Sequence, residues 1–295
     1  KYPRVIGHEI TAEIVETGSG VTELSVGDPV TAYYYLTCGT CIWCQTGRET
    51  LCDNLAGNIG RDLDGGYADY IKLPSNSFIK LPEGLDYKSN PAEIGVVTDA
   101  IATPLKLINK ARIQPGESVT VIGAGGGLGI QMIAVAKWAK AQVIAVDVRP
   151  EKLDTCRGAG ADKTVDASDI DLADLLFDLT DGKGTDVVID FVANEKTLEG
   201  ATRALGKGGR LAILGGGGIP NTFSVSGNWI KGGEREILGN KYASRADVRE
   251  ALDIVARGEL WPIVTETCAL ENVEELHQRL ENGLVIGRAA VLINP

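Results

Sequence analysis

Four cysteines, Cys38, Cys41, Cys44 and Cys52, stand in the spacing C-x2-C-x2-C-x7-C. Thiolates are soft ligands, and zinc takes four of them at tetrahedral corners. Spacers of two residues let consecutive sulfurs turn inward from one tight loop, and the fourth closes the shell a few residues on. Four cysteines leave no open coordination position, so the chemistry they predict is a structural zinc and not a catalytic one. The other two, Cys156 and Cys268, are isolated and read as small core residues.

A second cluster is made of glycine. Val119-Thr120-Val121-Ile122 runs into Gly123-Ala124-Gly125-Gly126-Gly127-Leu128-Gly129, and a helix-forming stretch to Lys140 follows. In a strand–turn–helix unit, glycines permit the tight turn and let the backbone approach a pyrophosphate. The helix N-terminus supplies N–H groups and the positive end of a dipole. The spacing departs from G-x-G-x-x-G by one extra glycine, but the context fits dinucleotide binding. The next strand ends at Asp147, eighteen residues past Gly129. A carboxylate there accepts both hydroxyls of the adenosine ribose and repels a 2′-phosphate, which predicts NAD over NADP. Arg149, two residues on, is the basic group that would favour the 2′-phosphate.

The third group is spread along the chain. His8 and His277 are its two histidines, so histidine chemistry must use one of them. His8 lies in Ile6-Gly7-His8-Glu9, where a neutral imidazole can ligate zinc and the adjacent carboxylate can orient the site or bind metal itself. Asp99, in Thr98-Asp99-Ala100-Ile101-Ala102-Thr103-Pro104, lies among small and apolar neighbours. A lone carboxylate there is costly unless it is paired, bound to metal or capping a helix. Tyr33, Tyr34, Tyr35 and Trp43 suggest an apolar aromatic wall or simply core.

Gly7-His8-Glu9, the four-cysteine lobe, the glycine turn at 123–129 and Asp147 follow one another in the order found in zinc-dependent alcohol dehydrogenases of the medium-chain dehydrogenase/reductase family. The chain resembles that family over essentially its whole length. The resemblance implies an α/β fold: a Rossmann doubly wound parallel sheet inserted in a GroES-like, mainly-β catalytic domain. Residues 1–100 would be the first part of the catalytic domain, with the zinc lobe at 38–52. Residues 101–238 would be the NAD-binding domain, and 239–295 the return to the catalytic domain. His8, Glu9 and Asp99 would hold a catalytic zinc, Asp99 standing where many members carry a second cysteine. Thr103 would lie near the nicotinamide and Leu128 behind its ring. Lys152 and Arg288 would serve the adenosine ribose and the pyrophosphate, alongside Gly123, Gly125, Gly127, Gly129 and Asp147. Tyr34 would line the substrate pocket.

The expected activity is NAD(H)-linked hydride transfer between a secondary or cyclic alcohol and the nicotinamide, by a homodimer or homotetramer. The family also carries a first zinc-ligand cysteine, and usually a Ser/Thr proton relay, upstream of Gly-His-Glu. This sequence starts six residues before Gly7, so the N-terminal segment is expected to be missing. Two alternatives follow. One is a zinc-stapled NAD-binding chain without turnover. The other is a zinc-free quinone or enoyl reductase of the same fold, whose members typically lack both the lobe and Gly-His-Glu.

Elements must hold these groups in place. Residues 1–100 carry short alternating runs such as Glu13–Glu16 and Asp28–Ala32, which read as small strands joined by turns. From Ser118 the rhythm changes to strands at Val119–Ile122, Gln142–Asp147, Asp186–Asp190 and Arg210–Leu214, alternating with helices at 128–140 and from Glu151. That alternation implies βαβ units. A helix at 246–257 and a strand at 289–293 close the chain. The net charge of −11 offers no basic stripe for nucleic acid. No apolar run is long enough for a membrane span, and no basic segment leads into an apolar one, so a cytoplasmic location is expected. Lys183, Lys207 and the acidic run Asp166–Asp174 read as solvated surface.

Overall fold

A computed structural model of the protein describes residues 3–168, 170–216 and 222–293; Asp169, within the acidic run, lies outside them. The chain divides into two compact units. One runs up to Thr103 and resumes with Tyr242–Val285 and the tail from Ala289; the other comprises Pro104–Lys241 and Ile286–Arg288.

The first unit begins with five short strands: β1 (Thr11–Glu13), β2 (Pro29–Ala32), β3 (Tyr35–Leu36), β4 (Gly57–Asn58) and β5 (Phe78–Lys80). They form an antiparallel sheet in the order β1-β2-β5 and a separate β3-β4 ladder. Alternation places Ile10, Ala32 and Ile59 in one apolar cluster and Ile14, Leu24 and Val30 in another. The first strand starts earlier than the Glu13–Glu16 run suggests. Ile14 still pairs through its main chain with Gly27 and Asp28, whereas Val15 is exposed. Two short helices, α1 (Ile42–Gln45) in the cysteine loop and α2 (Pro91–Gly95), follow.

After α2 the chain makes one wide turn of π-helical geometry, Val97–Ile101, and continues as α3 (Ala102–Lys110) into the second unit. Pro104 gives a physical reason for the widening. A proline ring clashes with the carbonyl four residues back, here that of Ala100, so a regular α-helix cannot run through this point. Such bulges often mark functional sites, and this one carries Asp99.

In the second unit, β6 (Ser118–Ile122), β7 (Gln142–Asp147), β8 (Lys163–Asp166), β9 (Thr185–Asp190), β10 (Leu205–Ile213) and β11 (Glu236–Gly239) make one six-stranded sheet. Every neighbouring pair is parallel. The order β11-β10-β9-β6-β7-β8 is that of the doubly wound dinucleotide fold, reversing between β6 and β9. Val119, Val121, Val143, Ala145, Val187 and Ile189 are fully buried, as expected of strands covered on both faces. The connecting helices are α4 (Gly129–Trp138), α5 (Pro150–Gly158), α6 (Leu172–Leu179), α7 (Glu195–Ala204) and α8 (Gly227–Gly233).

The first unit is completed by α9 (Arg245–Ala256), β12 (Glu266–Ala269), α10 (Val273–Glu281) and β13 (Ala289–Leu292), with β12 and β13 pairing in parallel. A Ser244–Asp247 capping box starts α9. No helix among the described residues is long and apolar enough to cross a membrane.

Candidate metal and cofactor sites

The four cysteines come together around α1. Their sulfurs all lie within 4.8 Å of one another, the one such group of three or more His, Cys, Asp or Glu ligand atoms among the described residues. Individual separations are 3.5 Å (Cys52–Cys38), 3.6 Å (Cys41–Cys44), 3.9 Å (Cys38–Cys44) and 4.0 Å (Cys41–Cys52). Zinc–sulfur bonds of about 2.3 Å at tetrahedral angles put sulfurs about 3.8 Å apart, so the cage has the dimensions of a zinc shell. N–H groups point at it as well, from Cys38 to Cys52 Sγ and from Cys41 to Cys38 Sγ. Donation from the Thr40 and Cys41 main chain brings the Cys38 thiol down to about 5, and donation from Cys44 and Asp53 lowers Cys41. Burial and sulfur neighbours push Cys44 up to about 12. Four sulfurs crowded this closely are stabilised by a dication, which deprotonates a coordinating thiol outright. Within this lobe the Trp43 indole N–H donates to Asp53, and Arg48 stacks on its ring.

The second cluster lies in the same unit. His8 Nε2 stands 3.3 Å from Asp99 Oδ2. That is beyond the usual N–H···O range. It matches the roughly 3.3–3.4 Å between nitrogen and oxygen when both bind zinc at about 2.0–2.1 Å in a tetrahedron. Asp99 is oriented by the Thr103 hydroxyl, which donates to Oδ1 at 2.6 Å. Thr103 is buried, so the hydrogen bond is shielded from water. The structure brings His8 and Asp99 together across 91 residues but does not add Glu9 as a third converging ligand atom. Glu9 Oε1 instead accepts the Ala100 N–H at 3.0 Å, which pins the wide turn that carries Asp99. Tyr34, half-buried, packs on His8 with ring centroids 4.8 Å apart. Tyr33 and Tyr35 are core residues, the Tyr33 hydroxyl donating to Ala243 O. His277 is stacked on Tyr67, with ring centroids 5.9 Å apart.

The main chain before His8 is held by glycines that the sequence reading passed over. Gly65 N–H donates to Val5 O, Gly66 N–H to Gly7 O and Tyr67 N–H to Ile6 O. A Cβ on Gly65 would sit 2.1 Å from Gly7 O, and one on Gly60 would sit 2.7 Å from the same oxygen. Gly7 itself has φ +94°, and a Cβ there would strike the Tyr67 ring. The Gly65-Gly66 doublet is the signal that could have been read.

In the second unit the glycine turn joins β6 to α4. Gly123, at φ +75°, and Ala124 both donate to Val146 O. Gly125 N–H donates to Asp147 Oδ2 at 2.8 Å, and Arg149 N–H to Oδ1 at 3.1 Å. Each carboxylate oxygen keeps a further acceptor site. A Cβ on Gly129 would lie 2.2 Å from Gly123 O, one on Gly125 2.5 Å from the Lys152 stem, and one on Gly127 2.9 Å from Arg288 Nη1. Lys152 is buried, and burial lowers the Arg288 pKa to about 10, still a cation at neutral pH. Leu128 is the N-cap of α4. A cavity of about 250 Å³ opens at the carboxyl ends of β6, β7 and β9, lined among others by Gly123, Asp147, Val148, Val192 and Thr197. This is where an open α/β sheet takes its ligand. Asp190, at the end of β9, was not singled out by the sequence. Its buried carboxylate accepts from the Val192 and Ala193 N–H groups and shapes that wall; burial raises its pKa. Gly129→Ala is expected to lower stability by about 1–3 kcal/mol through overpacking, measured by thermal denaturation. An unchanged midpoint would show that the turn relaxes freely.

Family comparisons agree with this geometry. The alcohol dehydrogenase GroES-like domain matches residues 1–83, and the zinc-binding dehydrogenase domain matches residues 127–257. An alcohol dehydrogenase of Geobacillus stearothermophilus is 35% identical over 295 residues, spanning 98% of this chain and 82% of the relative. The chain belongs to the zinc-type alcohol dehydrogenase family. Another member, an NAD-dependent alcohol dehydrogenase of Sulfurisphaera tokodaii, is 33% identical over 293 residues, 99% of this chain and 82% of its own length. The crystal structure of the alcohol dehydrogenase of Aeropyrum pernix superposes with a TM-score of 0.88 at 32% identity, covering 98% of this chain and 83% of that one. Membership makes the chain an oxidoreductase of GroES-like and Rossmann architecture. The zinc-free reductase and non-catalytic alternatives gain nothing from these matches.

Proposed function

We propose that the protein is a zinc-dependent, NAD(H)-linked alcohol dehydrogenase acting on secondary or cyclic alcohols and the matching ketones. The observation that carries this reading is the His8–Asp99 pair, 3.3 Å apart and faced by the Tyr34 ring. Bound zinc supplies a Lewis acid that lowers the pKa of an alcohol oxygen or polarises a carbonyl, and NAD(H) takes or gives the hydride. The residues do the positioning. His8 offers neutral Nε2 and Asp99 offers Oδ2. Thr103 and Glu9 hold the Asp99 segment through the contacts above, Thr103 also standing where the family places a residue near the nicotinamide. Tyr34 forms an apolar wall for the carbon skeleton.

On the cofactor side, the turn from Gly123 through Gly125 and Gly127 to Gly129 receives the pyrophosphate, Arg288 and Lys152 supply positive charge, and Leu128 backs the nicotinamide. Asp147 takes the ribose hydroxyls. Asp147→Asn is expected to raise the KM for NAD by roughly 10–100-fold, the worth of a hydrogen bond to a charged group, and to narrow the preference over NADP. An unchanged NAD/NADP ratio would remove Asp147 from cofactor selection. Residues 1–100 and 239–295 correspond to the catalytic domain and 101–238 to the cofactor domain in this reading. A cytoplasmic homodimer or homotetramer with small alcohol or carbonyl substrates completes it, and light scattering decides the assembly. The whole reading is tested by zinc per chain together with oxidation of a panel of secondary alcohols by NAD. Activity that needs no zinc, or a single zinc per chain, would overturn it.

A further inference from the structure

Tyr242 opens the return of the chain to the first unit in an unfavourable conformation. Its φ is +48°, in the left-handed region where a bulky L residue is an outlier. Such a residue persists where its surroundings over-determine it, and such outliers cluster at functional sites. The flanking backbone is pinned on both sides: the Lys106 ammonium donates to Lys241 O at 3.1 Å and the Tyr33 hydroxyl to Ala243 O at 2.9 Å. Asparagine or glycine would adopt this backbone more easily, so what the position retains is the ring.

That ring is buried, 8% exposed, and its neighbours are informative. Its centroid lies 5.1 Å from that of Tyr34 and 5.4 Å from that of Tyr35, which it meets edge-on at 88°. Tyr34 lies against His8 at 4.8 Å, and Tyr242 itself reaches within 6.3 Å of the imidazole. A histidine ligand works only while its ring plane contains the direction to the metal, so a support that fixes that plane acts on the metal without touching it.

We infer that Tyr242 is a positioning residue for the His8–Asp99 pair, bracing Tyr34 and thereby fixing the plane of the His8 ring. The inference rests on the zinc reading of that pair. It makes the aromatic group of Tyr33, Tyr34, Tyr35 and Tyr242 a support of the metal site as well as a core.

The test compares wild type with Tyr242→Phe, Tyr242→Asn and Tyr34→Ala, reading zinc per chain after dialysis against a weak chelator, then kcat and KM separately. The four-cysteine zinc serves as an internal marker of folding. Tyr242→Asn fits the left-handed backbone and lacks the ring. It is expected to keep the four-cysteine zinc, to bind the second zinc 10–100-fold more weakly, and to lose kcat more than it gains KM. Tyr242→Phe restores both zinc ions and kcat. If Tyr242→Asn loses the four-cysteine zinc as well, it has unfolded. Tyr34→Ala, at a half-buried position, then carries the test with the same expected loss of the second zinc. Variants that hold the second zinc as tightly as wild type would reduce Tyr242 to core packing and overturn the inference. A wild-type protein with one zinc would overturn the proposed function itself.

Discussion

Replacing His8 with alanine is expected to lower kcat/KM by about 10³-fold and to leave one zinc per chain. The change removes one of the two converging donors, Nε2, and leaves Asp99 Oδ2 without its partner at 3.3 Å. A Lewis acid stabilises developing alkoxide charge by several kcal/mol. Losing about 4 kcal/mol of that corresponds to the stated factor. The fold is expected to survive, because His8 is partly exposed and the segment before it is held through main-chain hydrogen bonds from Gly65, Gly66 and Tyr67. The measurement is steady-state kinetics on the metal-analysed variant, with Asp99→Asn as companion. Turnover at the wild-type level would take zinc out of the mechanism.

The opposite pattern is expected at the other metal centre. Cys44→Ser should cost the structural zinc and lower the thermal midpoint by roughly 10 °C. A structural zinc contributes apparent binding energies of about 10–16 kcal/mol to folding. If about 4 kcal/mol of that is lost to the folded unit, the midpoint moves by the stated amount for a domain of this size. The helix that carries Cys44 has little else to hold it: α1 buries none of its four residues, and no side chain caps it. A new tryptic cut after Arg48, between Cys44 and Cys52, should accompany the loss. An unchanged midpoint with both zinc ions retained would mean that the four sulfurs are not a metal cage.

What the sequence reveals and what it hides follow from the range of the interactions. The cysteine lobe and the glycine turn are local: their ligand or backbone groups lie within fifteen residues of one another, so spacing alone indicates their geometry. The βαβ alternation is legible because a strand buried on both faces needs an unbroken apolar run, as in Val143–Val146. The His8–Asp99 pair joins residues 91 positions apart, and a resemblance was needed to connect them. By type, Glu9 can orient the site or bind metal itself. Nothing in the sequence shows that its carboxylate accepts the Ala100 N–H. The wide turn at Val97–Ile101 is signalled by Pro104, whose ring constrains the Ala100 carbonyl, but the sequence does not show whether the helix breaks there or widens. Tyr33 and Tyr35 could not be separated from Tyr34 by type, and burial separates them only once β2 and β3 are in place.

The glycine collar around Gly7 has a consequence for how the protein can change over generations. Gly60 and Gly65 approach the Gly7 carbonyl so closely that the smallest side chain at either would displace it, and His8 is the next residue. Deep mutational scanning should therefore find almost no accepted replacement at Gly7, Gly60 or Gly65, although none of the three carries a reactive group. Tolerance should rise sharply at Gly20 and Gly95, where an added Cβ meets open space and the backbone is not left-handed. The pattern of permitted substitutions would outline His8 by its silent neighbours, and drift would be slowest where the chain is chemically blandest.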